Sequence, residues 1–105
     1  MTRPANEARG EAALGVGGES LLLRPSFAAL VAAEEELGPL FVLIERAAEG
    51  NLRLSEVAGL FWHCIADRPE SCTRERIGEA LAEQGLAKVT PVLKLLLTQI
   101  LQGRV

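Results

Sequence analysis

The sequence predicts an α+β domain in which an N-terminal β-hairpin packs on a bundle of about five α-helices. Three observations lead there. Gly17-Gly18 separates two short runs, residues 11–16 and 19–24, and glycine reaches positive φ without steric penalty, as a tight hairpin turn requires. From Ser26 onward apolar residues recur at three- and four-residue spacing, the period of an amphipathic helix. That pattern is broken at Gly38-Pro39, at Gly50-Asn51, over residues 68–71 and at Gly85, which leaves five helical segments.

The hairpin spans residues 11–24. Leu21, Leu22 and Leu23 dominate its return strand, and leucine is not a favoured strand residue, so packing on helices has to hold it. Pro25 stops the ladder and Ser26 offers an oxygen to the first amides of a helix over about 26–37, with Phe27, Leu30 and Val31 as its apolar stripe. Gly38 closes that helix and Pro39 opens the next, about 39–49, on the stripe Leu40, Leu43, Ile44 and Ala47. The third, about 54–67, repeats Leu54, Val57, Ala58, Phe61, Cys64 and Ile65. Leu60 and Trp62 lie off that stripe, so this helix is expected at the centre of the core with more than one buried face.

Thr73 is placed to cap a fourth helix, about 73–84, with Glu75 at the positive end of its dipole and Ile77, Ala80 and Leu81 facing inward. The last, about 86–102, contains Pro91, which either kinks it or starts its regular part. Val92, Leu93, Leu95, Leu96, Leu97, Ile100 and Leu101 leave it apolar over most of its circumference. Either it lies centrally among the other helices or another chain covers part of it. Residues 1–9 are polar and aperiodic and read as a mobile tail before a single domain over 10–105.

Composition narrows the function. With 105 residues, 49% hydrophobic and 24% charged, the chain matches a folded soluble domain, and a net charge of −3 disfavours duplex nucleic acid and anionic membranes as partners. The apolar run from Val92 to Leu101 is interrupted by Lys94 and falls short of a bilayer span. Two cysteines are too few for a disulfide framework, and a cytoplasmic location is expected.

Little in the sequence points to catalysis. His63, the only histidine, adjoins Cys64, but neighbouring helix residues diverge by about a third of a turn and form no nucleophile–base pair. Asp67, one turn on, is the expected partner of its ring. His63, Cys64 and Cys72 match no zinc spacing, and Gly15 to Gly18 lacks the lysine and hydroxyl of a phosphate loop. No catalytic residue, metal, cofactor or small-molecule substrate is expected. The candidates for contact with a partner are the flank Val92, Leu95 and Leu101 of the last helix, and the acids Glu34, Glu35 and Glu36, which sit in the last turn of their helix against its dipole.

The order of these features carries a resemblance. Asn6 and residues 9–11 lead into the hairpin, Gly18 turns it, and residues 23–30 read LRPSFAAL. Glu34 then precedes Gly38, Gly50 leads to Leu54-Ser55-Glu56-Val57-Ala58, and Gly85-Leu86-Ala87 leads to Pro91. This pattern resembles the small tail-protein family of gene transfer agents and prophages in α-proteobacteria, classed with phage tail assembly chaperones. It departs from it around Cys72 and at Trp62-His63-Cys64. The resemblance implies a non-enzymatic protein that engages the tape-measure protein before the tail tube polymerises around it. A structural place in the tail tube is the nearest alternative, since some members are described so. A contact with the tail tube protein or with further copies of the chain is compatible with either. A small regulatory interaction module is the remaining alternative.

Overall fold

The computed structural model describes residues 12–103; the tail expected at residues 1–9 lies outside them. Two antiparallel strands, β1 (Ala12–Val16) and β2 (Glu19–Leu23), pair from Ala12 opposite Leu23 to Val16 opposite Glu19. Gly17 and Gly18 both adopt positive φ, 57° and 84°, the geometry that matches a two-residue turn to strand twist. Ala12 and Leu14 alternate inward on β1, while Leu21, Leu22 and Leu23 are all buried on β2. Five helices follow: α1 (Phe27–Leu37), α2 (Leu40–Ala48), α3 (Leu54–Cys64), α4 (Arg74–Gln84) and α5 (Leu86–Gln102). The expected α+β architecture, a hairpin on five helices, is the observed one.

Local chemistry sets most boundaries. Ser26 Oγ accepts the Ala29 amide and Thr73 Oγ1 the Arg76 amide, each at 3.2 Å, as their types and positions led one to expect. Gly38 and Gly85 leave their helices at positive φ with their amides bonded back to Glu34 O and Leu81 O.

Helix α3 is the centre of the core, with Val57, Ala58, Gly59, Leu60, Phe61 and Cys64 buried. Both α1 and α4 pack on it. It ends at Cys64, three residues before the expected Asp67, because the chain is drawn into the sheet. Ile65 forms an antiparallel bridge with Leu23, the Arg24 amide donates to Cys64 O at 2.7 Å, and the Ala66 amide donates to Leu22 O at 2.9 Å. Those bonds satisfy backbone groups along the outer edge of β2 that a longer helix would have left unpaired. Asp67 then turns the chain at φ 52°.

Two inward faces differ from expectation. On α1 the buried residue is Ala33, with Ala29, Leu30 and Leu37 packed against the core, while Phe27 and Val31 face outward. At the carboxyl end of α1 the contact with α3 is close: a Cβ on Gly59 would lie 3.3 Å from Leu37 Cδ2. Helix α5 packs along one side of the domain, on β1 and α4, with only Val89 and Leu96 fully buried. It runs through Pro91 as one helix, and Thr90 Oγ1 donates to Leu86 O at 2.6 Å beside it.

Candidate interaction surface

The three adjacent glutamates serve different purposes. Glu34 Oε2 accepts the Leu40 amide at 3.0 Å, placing a carboxylate at the amino end of α2, where the dipole favours it. Glu35 is exposed, and its side chain has no hydrogen bond or ion pair among the described residues. Glu36 is the hub of a polar cluster. Its Oε2 is bonded by Arg74 Nη1, and its Oε1 takes bonds from Arg74 Nη2 and His63 Nε2, both at 2.8 Å. The bidentate Arg74 guanidinium and then His63 hold the Glu36 carboxyl down at about 2. An ionised carboxylate only accepts, so His63 Nε2 carries the proton in this contact.

The same cluster includes Trp62. The Arg68 guanidinium lies 3.8 Å from its ring centroid and that of Arg74 5.6 Å away, and Arg68 Nη1 donates to Trp62 O at 3.2 Å. Glu36 from α1, Trp62 and His63 from α3 and Arg74 from α4 thereby tie three helices together. The expected His63–Asp67 pair is replaced by His63–Glu36, because the chain leaves the helix before Asp67 completes the turn. Cys64 and Cys72 are free and buried, and burial pushes the Cys64 thiol up to about 12 and that of Cys72 upward as well. Among the described residues no group of three or more His, Cys, Asp or Glu side chains is placed to hold a metal ion, and no helix is long and apolar enough to cross a membrane.

A second cluster braces the α2–α3 connection. Arg46 Nη1 and Nη2 clasp Glu56 at 2.7 and 2.6 Å, Nη2 also donates to Asn51 O, and Glu56 Oε1 accepts the Arg53 amide at 2.9 Å. Arg46, with the Arg53 amide, holds Glu56 at about 2. Beside this brace an apolar cleft of about 220 Å³ opens between α2, α3 and α5, lined mainly by Ala47, Leu52, Val57, Leu86, Val89 and Leu93.

The outer edge of the hairpin is engaged on the β2 side and at one point on β1. Residues 64–66 occupy the β2 side, and Gln84 Nε2 donates to Gly15 O on β1 at 2.6 Å. Of the flank singled out on α5, Val92 and Leu95 are half-buried against the core and Leu101 is 58% exposed. Phe27 at 85%, Phe41 at 77% and Leu86 at 60% are more exposed still. Phe41 and Val42 are outward residues that sequence reasoning passed over, although both fall off the α2 stripe and that misfit is the signal that marks them.

A model of the family described as phage tail tube protein, GTA-gp10, matches residues 9–103. No curated protein and no solved structure matches the chain.

Proposed function

The chain belongs to the family of the phage tail tube protein GTA-gp10, and from that premise we propose that it is a structural component of a phage-like tail, built into the particle as a folded subunit. The observation that supports this most is the family match over residues 9–103, nearly the whole chain. The surface agrees with it. Large apolar side chains stand outward on α1, α2 and α5 of a domain whose own core is already filled by Leu14, Leu23, Leu43, Leu60, Phe61, Ile77, Leu81 and Leu96. Exposed apolar side chains mark a protein contact where they join into one contiguous patch.

The tail assembly chaperone implied by the sequence resemblance fits the same surface, with the tape-measure protein as the covering partner. The family description favours the structural component over it. Quantitative peptide mass spectrometry on purified particles separates the two. A structural component is present in fixed ratio to the other tail proteins, and it stays with the particle through density-gradient banding. A protein required for assembly yet missing from finished particles would overturn the structural reading in favour of the chaperone.

A further inference from the structure

We propose that the cleft between α2, α3 and α5 is a binding site for one small uncharged apolar molecule, about the size of an alkylbenzene. Its walls are faces left over from the packing of the core. Helix α3 packs mainly on α1 and α4, and α5 on β1 and α4. Into the cleft α5 presents Leu86, Val89, Thr90 and Leu93, which share one helix face at three- and four-residue spacing. Helix α3 adds Val57, and the connection before it adds Leu52. Val57 and Val89 are buried, whereas Leu86, 60% exposed, opens to solvent.

The hollow is built into the backbone. Arg46 holds Glu56 with two bonds and Asn51 O with a third, which fixes the α2–α3 connection beside the cleft. At Gly50, in that connection, a φ of 76° favours the one residue that has no side chain to fill the space. Ala47, three residues earlier, contributes a single methyl group. On the opposite wall Val89 and Leu96 are fully buried and anchor α5 in the core, so closing the gap would pull them out of it.

The lining selects by polarity and by size. Among the described residues that line the cleft none is charged, and Thr90 carries the one hydroxyl, which already donates to Leu86 O at 2.6 Å. The nearby charges of Arg46 and Glu56 are paired with each other. A charged or strongly polar ligand would give up water and find no side-chain donor in return. An apolar one gains by leaving water. An engineered apolar cavity of about 150 Å³ takes up benzene. The cleft, at about 220 Å³, has room for such a ring and a short alkyl group. It falls below the roughly 300 Å³ at which sites for drug-sized ligands begin.

Toluene and benzoate, one ring without and one with a charge, test the site on the full chain by methyl NMR and thermal melting. Toluene is expected to shift the methyl signals of Leu52, Val57, Leu86, Val89 and Leu93 along one saturable curve, with a Kd of about 1 mM or lower. The melting temperature should rise with toluene concentration, because the unfolded chain has no cleft. Benzoate should bind at least ~10-fold more weakly. Ala47→Leu, which fills the cleft, should weaken toluene binding at least ~10-fold in a chain that still melts cooperatively. If Ala47→Leu fails to fold by circular dichroism, Leu86→Ala takes its place: it removes an exposed part of one wall and should also weaken binding.

A flat toluene titration, shifts centred on Val31 and Val42 instead of the cleft, benzoate binding as tightly as toluene, or a folded Ala47→Leu chain that binds normally each overturns the proposal. A cleft covered by a second copy or by another segment of the chain gives the flat titration. The site is independent of the tail-component reading: toluene titrates the free chain, and a negative result leaves that reading standing.

Discussion

Replacing each of three consecutive glutamates by glutamine separates their roles, and Glu36→Gln carries the largest expected effect. Glutamine keeps the shape and one acceptor but removes the charge that Arg74 grips with two bonds. A carboxyl held at about 2 against an ordinary 4.5 corresponds to ~3 kcal/mol of linked stability if the pair were shielded from solvent. The Glu36 side chain is 38% exposed and that of Arg74 43%, so screening brings the expected loss to about 1 kcal/mol at pH 7.

The pH dependence has a definite sign. A carboxyl whose value is lowered by folding contributes its full stability above about 4.5 and loses it as the pH falls towards 2. Urea denaturation at pH 7 and at pH 2–3 should therefore show the wild type and Glu36→Gln converging in acid. Glu34→Gln, which weakens the cap on the Leu40 amide, should cost about 0.5 kcal/mol, and the exposed Glu35→Gln less still. Equal effects at all three positions, or a Glu36→Gln loss that persists undiminished in acid, would refute the assignment of Glu36 as the hub.

Four further expectations follow from packing. Gly78 lies in α4 with nothing within 4 Å of where its Cβ would stand, so Gly78→Ala should raise stability by up to about 1 kcal/mol in a thermal melt. Gly59→Val should lower it, because its added atoms run into Leu37 and the Glu36 carboxylate. Leu96→Ala, at a fully buried position, should cost about 2–5 kcal/mol, whereas Leu95→Lys, half-buried, should cost about 1 kcal/mol as the lysine stem lies along the surface and its charge reaches water. Cys64, with its thiol pushed up to about 12, should react with a water-soluble disulfide reagent only after unfolding, and a burst of labelling at Cys64 in the native state would contradict its burial.

The sequence by itself determined the element order, the turn at Gly17-Gly18, the caps at Ser26 and Thr73 and the centrality of α3. These are local matters: backbone sterics, first-turn amides and a period of 3.6 act within one segment and leave their mark in neighbouring residues. The tertiary structure alone decided the rest. Nothing near Glu36 in the chain names Arg74, which lies 38 residues away, and nothing near Ile65 announces that β2 will take it from its helix. The outward position of Phe27 follows from which side of α1 meets α3, and the half-burial of Leu95 from which side of α5 meets β1 and α4. Periodicity states that a helix has an apolar side. Which of its apolar residues reach the core depends on the shape of the element opposite, and only packing supplies that shape.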